Sequence, residues 1–357
     1  MSVLFTPIRL RDLEMRNRIW VSPMCEYSCE QQDGLANDWH LVHLGSRAVG
    51  GAGLVMTEAT AVTPEGRISP YDLGIWSDAH AEALRSTARF IEEHGAAPAM
   101  QLAHAGRKAS TERPWAGGKP VDASGGGWTP AGPSALPYAP GYPEPHAYTT
   151  AEVRGVIDAF ATAAARAARV GFRAVEVHAA HGYLVHEFLS PLTNQRTDEY
   201  GGDFDGRTRL AIEVTRAVRE SFPRELPVIV RISASEYVEG GWNLDDSVEL
   251  ACRLKAVGVD LIDCSSGGNL PQQQVRAYPG YQVPFARAIR ERAGIASGAV
   301  GLITAPEQAE AIVASGEADV VLMGRELLRD PYWPLHAART LRAEIEWPKQ
   351  YLRAKLP

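Results

Sequence analysis

"TTAEVRGVIDAFATAAARAARVGFRAVEVHAA", residues 149–180, is one amphipathic segment followed by one short apolar run. The first part opens on a Thr-x-x-Glu start and sets Val153, Ile157, Phe160 and Ala164 on one stripe, the pattern of a helix laid on a core. The second part, "AVEVHAA" (174–180), is short and apolar, as a strand buried on both faces should be. A helix feeding a fully buried strand is part of a parallel β/α unit. The fold therefore turns on how often the unit recurs.

It recurs almost to the end. Apolar runs fall at 18–23, 53–59, 97–103, 174–180, 227–233, 260–266, 297–303 and 319–325. Helical patterns lie between them, such as 77–95, which starts on an N-cap pair and ends in glycine. Eight strand–helix units predict an α/β fold, a (β/α)8 TIM barrel, read here as a single domain over residues 1–357. The run 297–303 is the least regular strand, because Gly298 and Gly301 interrupt it. The stretch 110–148, rich in Gly, Pro, Ser and Trp, is expected to be a lid or binding loop after the third strand.

Bulk properties narrow the function. A chain of 357 residues, 45% hydrophobic, can bury a large core. The net charge of −7, with no long basic run, argues against nucleic acid as a partner. No segment approaches the ~18 apolar residues of a membrane span, and the N-terminus has no signal-peptide pattern. Cys25, Cys29, Cys252 and Cys264 do not make a disulfide framework, so a cytoplasmic location is expected. The Cys25/Cys29 C-x3-C pair has no second pair, so no metal site is expected there.

In such a barrel the C-terminal strand ends build the active site. Here they carry Ser22, Pro23, Met24 and Cys25, then Glu58 and Ala59, then Gln101 and His104. Next come His178, His181 and Tyr183, Arg231, the run Ser265–Gly268, Gly301, and Gly324 with Arg325. Glycines after strands 7 and 8, with Arg325, favour a phosphate site. A phosphate-bearing cofactor would lie across the mouth. Gln101 offers an amide to a heteroaromatic ring edge. Arg231 offers positive charge suited to an electron-rich reduced ring, or pairs with a neighbouring acid such as Glu176.

His178 and His181 admit three readings. A zinc site needs three or four ligands, and the other strand ends offer no carboxylate set. His186 and Glu187 do not complete an H-E-x-x-H pattern. Two neutral imidazoles can instead each donate to one carbonyl oxygen, with Tyr183 placed to give up a proton. A pair of structural histidines is the third reading.

At these residues the sequence resembles the Old Yellow Enzyme family of FMN-dependent ene-reductases, in the thermophilic-like branch with a flavin-proximal cysteine. The matching stretches include "LFTPIRLRDLEMRNRIWVSPMCEYS", "QLAHAGRKAS", "EVHAAHGYLVHEFLSPLTNQRTDEYGG", "GAVGLIT" and "VLMGRELLRDPYWP", and they run in order from residue 4 to about 334. The resemblance implies that Ser22, Pro23, Met24, Cys25, Ala59, Gln101, His178, Arg231, Gly301, Met323, Gly324 and Arg325 contact FMN. It implies that Cys25 tunes the flavin, His178 and His181 hold the substrate carbonyl, Tyr183 protonates the α-carbon and Tyr27 lines the pocket. NADPH or NADH would be the hydride donor, and an activated alkene the substrate. The tail 345–357, with "KQYLR", implies that Arg353 and Tyr351 reach a neighbouring subunit of a homodimer or homotetramer.

Some features depart from the family pattern. Glu26 stands where glutamine is common, and the 110–148 lid is longer than the short form of the branch. Lys108 is read as a structural or surface charge. The rivals are a dienoyl-CoA-reductase-like flavoprotein, a phosphosugar isomerase or aldolase barrel, and a non-catalytic FMN carrier. The first would need an iron–sulfur cysteine cluster, and the second a Schiff-base lysine at a strand end. Intact His178, His181 and Tyr183 argue against the third.

Overall fold

The computed structural model describes residues 2–355; Met1 and the last two residues of the 345–357 tail lie outside the described residues. An antiparallel hairpin, β1 (Ile8–Leu10) and β2 (Leu13–Met15), precedes the barrel. The first barrel strands are β3 (Ile19–Val21), β4 (Leu54–Ala61) and β5 (Ala97–Ala103). Two short strands, β6 (Ala131–Gly132) and β7 (His146–Ala147), pair within the loop that follows. Then come β8 (Ala174–Ala179), β9 (Val228–Ser233), β10 (Leu261–Ser265), β11 (Ala296–Ala299) and β12 (Val320–Met323).

Eight of these strands close into one barrel, in the order β3-β4-β5-β8-β9-β10-β11-β12, with β12 returning to β3 and every pairing parallel. Each expected apolar run holds one strand. The irregular run 297–303 is strand only to Ala299, so Gly301 stands in the loop beyond it. Helices α1 (Asp38–Val49), α2 (Asp78–Glu93) and α3 (Thr150–Arg169) follow the first three barrel strands. A short α4 (Leu184–Leu189) precedes α5 (Phe204–Ser221). The ring is completed by α6 (Leu244–Ala256), α7 (Val283–Ala293), α8 (Pro306–Ala314), a short α9 (Arg325–Arg329) and α10 (Trp333–Thr340).

The helix that opened the sequence reading starts as expected. Thr149 Oγ1 accepts the Glu152 N–H at 3.3 Å, and Glu152 Oε2 accepts the Thr149 N–H at 2.7 Å, a reciprocal capping box. Its buried stripe runs through Val153, Val156, Phe160, Ala163, Ala164 and Ala167. Ile157 is only partly buried, one position off the expected line.

The 110–148 loop is tied down along its length. The Thr111 N–H donates to Ile68 O at 2.8 Å, Trp128 Nε1 donates to Glu65 O at 2.9 Å, and Tyr148 Oη lies 3.1 Å from His104 Nε2. Burial drives His104 down to about 4, so it is a neutral tether for the loop rather than a group facing the mouth.

Candidate active site

Along β8 the inward faces belong to Glu176 and His178, since side chains alternate along a strand. The chain then turns sharply. His181 sits at φ +60° and Gly182 at +71°. A Cβ on Gly182 would lie 2.4 Å from both Asn269 Cα and the Gly268 carbonyl oxygen, so only glycine fits. A left-handed histidine costs on the order of 1–3 kcal/mol and persists only when its surroundings hold it. They do. The His181 N–H donates to Ser233 Oγ at 2.9 Å, and the Gly182 N–H donates to His186 Nδ1, also at 2.9 Å. His186 Nε2 in turn lies 3.2 Å from Glu236 Oε1, both side chains fully buried. Burial pushes Glu236 up, but His186, the Trp242 N–H and Ser190 outweigh it and hold the carboxylate below its usual range.

The turn brings three rings together. His178 and His181 meet edge-on with centroids 5.1 Å apart, and His178 meets Tyr183 at 5.0 Å. Burial first, and Arg231 second, holds both imidazoles well below their usual titration range, so both are neutral. His178 Nδ1 accepts the Ala180 N–H at 3.2 Å. The network thus assigns its proton to Nε2, which has no hydrogen bond among the described residues. His181 Nε2 is 2.7 Å from Ser265 Oγ. Burial keeps the Tyr183 phenol protonated far above its usual range.

Cys25, Tyr27, Trp128 and Tyr183 pack against a small apolar cluster of Ala59, Ile68, Ala103, Ala105 and Ala109. Burial, then Asp72 and Glu58, pushes the Cys25 thiol up, so it is no thiolate. Tyr27, itself left-handed at φ +51°, meets Trp115 of the loop edge-to-face at 5.8 Å. Glu58 turns away from the mouth: its Oε2 accepts the Glu26 N–H at 3.0 Å, and its Oε1 lies 3.3 Å from His40 Nε2.

Inside the barrel a polar chain links four strands. Gln101 Nε2 donates to Glu176 Oε1 at 2.7 Å, and Arg231 Nη1 donates to Ser22 Oγ at 3.1 Å. The acid that pairs with Arg231 is Asp263, with Nε 3.2 Å from Oδ2, and not Glu176. The register explains this correction. Arg231 is level with both His178 on β8 and Asp263 on β10, whereas Glu176 is level with Ile229. Burial first, then Asp263, raises Glu176 well above the usual carboxyl range, so Glu176 keeps its proton and Asp263 faces the guanidinium.

Beside this chain a cavity of about 320 Å³ opens between the ends of β11 and β12. Met24, Arg231, Gly301, Met323, Gly324 and Arg325 all line it. Gly301 holds φ +121°, a conformation that L-residues with a side chain rarely adopt. A Cβ on Gly324 would meet nothing closer than Met24 Sδ at 3.4 Å. That glycine therefore leaves space toward the cavity rather than relieving a clash. Neutral donors, a fixed guanidinium and a glycine-walled cavity suit a phosphate-bearing heteroaromatic such as FMN.

Thus Ser22 to Cys25, Ala59, Gln101, His178, His181, Tyr183, Arg231, Gly301 and Met323 to Arg325 all gather at one end of the barrel. Arg353 does not join them. It lies exposed on the tail, and its side chain makes no hydrogen bond or ion pair among the described residues. The tail folds back instead, with Tyr351 Oη 3.3 Å from Tyr332 Oη, enclosing a larger cavity of about 640 Å³ away from the histidine turn. Asp263 escaped the sequence reading. Of the two expectations for Lys108, structural or surface charge, its hydrogen bonds to the His181 and Gly268 carbonyls fit the structural one, with the ammonium turned inward onto the histidine turn.

The model of the NADH:flavin oxidoreductase / NADH oxidase family of FMN proteins matches residues 3–344. The chain belongs to this family. It is 48% identical over 352 residues to an NADPH dehydrogenase of Geobacillus thermodenitrificans, covering 99% of this chain and 98% of that one. Morphinone reductase in complex with tetrahydroNAD superposes with a TM-score of 0.79 at 28% identity, over 98% of this chain and 93% of the other. A 2-naphthoyl-CoA reductase gives a TM-score of 0.86 at 27% identity; the chain covers 52% of it, about half its length. The protein is thus an oxidoreductase of the FMN class on a (β/α)8 barrel, and the sequence resemblance is borne out at that level.

Proposed function

We propose that this protein is an NAD(P)H-dependent ene-reductase acting on activated alkenes: α,β-unsaturated aldehydes, ketones, imides or nitro compounds. The observation that carries the reading is the neutral His178/His181 pair with the Tyr183 phenol beside it, at the same end of the barrel as the glycine-walled cavity. Bound FMN supplies the hydride chemistry between the nicotinamide and the alkene β-carbon. The protein's own residues do the rest. Gly301, Met323, Gly324 and Arg325 would hold its phosphate, Gln101 and Arg231 its ring, and Ser22 to Cys25 with Ala59 would form the wall beside it. His178 and His181 donate to the carbonyl oxygen, where negative charge develops only in the transition state. Tyr183 gives its proton to the α-carbon, and Tyr27 closes the apolar side.

The four unpaired thiols fit a reducing cytoplasm. The exposed tail fits an assembly, a homodimer or homotetramer, in which Arg353 completes a neighbour's site.

The test is anaerobic. The FMN-loaded protein is reduced with NADPH, 2-cyclohexenone is added, and the flavin absorbance is followed. Return of the oxidised band supports the reading. A protein that stays reduced with every activated alkene tried overturns it.

A further inference from the structure

The half-buried ammonium of Lys108 points inward. Nζ donates to the carbonyl oxygens of His181 at 2.8 Å and Gly268 at 2.9 Å. It also lies 5.0 Å from the Tyr183 ring centroid and 4.9 Å from that of Tyr138, a residue of the 110–148 loop. One cation thus touches the left-handed histidine turn, the turn after β10, the phenol beside the histidines and the loop above them.

The two turns meet backbone to backbone. A Cβ on Gly268, at φ +94°, would lie 2.6 Å from His181 Cα. Two carbonyls pointing at one spot repel each other unless a cation stands between them. Lys108 occupies that spot.

We propose that Lys108 is a positioning residue for carbon protonation: its ammonium fixes the His181–Tyr183 turn, faces the phenolate left when Tyr183 donates, and couples Tyr138 of the loop to that event. The proposal rests on the ene-reductase reading. In the step concerned the Tyr183 O–H bond breaks as a C–H bond forms at the α-carbon. The phenolate keeps the electron pair and regains a proton from solvent. A fixed cation at the ring face favours that anion.

The groups facing the ammonium are the two carbonyls, Tyr138 and Tyr183; nearby are the Arg107 guanidinium and the Glu187 carboxyl, which burial keeps protonated up to about pH 8, with His178 and His181 neutral beside it. Burial lowers Lys108 to about 8, so protonation should fail above that pH as the cation is lost.

The test splits the two half-reactions in FMN-loaded Lys108→Met, Lys108→Arg and Tyr138→Leu. Expected for Lys108→Met is an enone reoxidation at least about tenfold slower, with flavin reduction by NADPH and reoxidation by menadione unchanged. Menadione takes no carbon-bound proton from Tyr183. Lys108→Arg should restore most of the enone rate and lack the fall near pH 8 expected of the wild type. Tyr138→Leu, which keeps the lysine but frees it from the loop, should slow enone reoxidation alone; it carries the test if Lys108→Met fails to fold. Equal enone rates in all variants overturn the proposal. So does an equal loss in all three reactions, which would mean a purely structural lysine. A wild type inert to every alkene but active with menadione overturns the ene-reductase reading itself.

Discussion

Nε2 of His181 lies 2.7 Å from the hydroxyl oxygen of Ser265, whereas Nε2 of His178 has no hydrogen bond among the described residues. The pair is therefore not symmetric. His178 presents a free N–H toward the mouth, and His181 must share or exchange its partner to grip a substrate oxygen. His178→Ala and His181→Ala are each expected to slow enone reoxidation by about 10²–10³. Ser265→Ala should cost less than either, because it frees an imidazole rather than removing one. Stopped-flow rates of the three variants check this. A Ser265→Ala loss as large as that of His181→Ala would mean that the hydroxyl itself serves the substrate.

Glu176 and Asp263 look alike in sequence but should respond differently to substitution. Asp263 faces Arg231 at 3.2 Å deep in the barrel. Asp263→Ala leaves a buried guanidinium without its ion-pair partner and is expected to cost about 3–5 kcal/mol. Glu176 is held protonated by burial and by Asp263. Glu176→Gln replaces a neutral acid by a neutral amide of the same shape and is expected to cost under about 1 kcal/mol. Denaturant unfolding of both variants decides it. A large loss in Glu176→Gln would show that Glu176, not Asp263, carries the negative charge.

The barrel was legible because fully buried parallel strands leave a local mark: short apolar runs, such as 97–103 and 227–233, at helix-length spacing. The strand ends followed from the fold, and so did most of the candidate site. What could not be read was partnership across the closed sheet. Arg231 meets Asp263 because β9 and β10 are in register, and that pairing exists only once the barrel closes. Lys108 had the same fate. Nothing near "HAGRKAS" shows that the carbonyls of His181 and Gly268 converge on it. The hairpin of β1 and β2 was missed because three-residue strands carry almost no periodicity.

Glu187 gives the stability a pH dependence of known sign. It is fully buried beneath Gly106 and Gly132; its Oε1 accepts the Arg107 N–H at 2.8 Å, and Oε2 has no hydrogen-bond partner among the described residues. Burial raises it from 4.5 to about 8. Folded Glu187 thus keeps its proton up to about pH 8, while the unfolded chain releases it near 4.5. Over that window the native state binds more protons, so this group's contribution falls as pH rises, by roughly 1.4 kcal/mol per pH unit. Glu187→Gln removes the slope. Urea unfolding at several pH values should show the variant close to wild type near pH 5 and more stable than wild type near pH 8. Parallel curves for the two proteins would refute the assignment.

The exposed Arg353 can be tested without knowing the assembly's geometry. Tyr183→Phe removes the proposed acid and is expected to slow enone reduction by about 10²–10⁴. Arg353→Ala should weaken alkene binding if the tail of one subunit completes its neighbour's site. Each single variant is then defective, but for different reasons. A mixed assembly of the two holds one site with Tyr183 from the Arg353→Ala subunit and Arg353 from the Tyr183→Phe subunit, and that site is intact. Mixing, unfolding and refolding the two variants together should therefore return activity that neither shows alone. If Arg353 acted within its own chain, every site in the mixture would still lack one of the two groups, and no activity would return. Recovery on mixing thus separates a tail that crosses between subunits from one that does not.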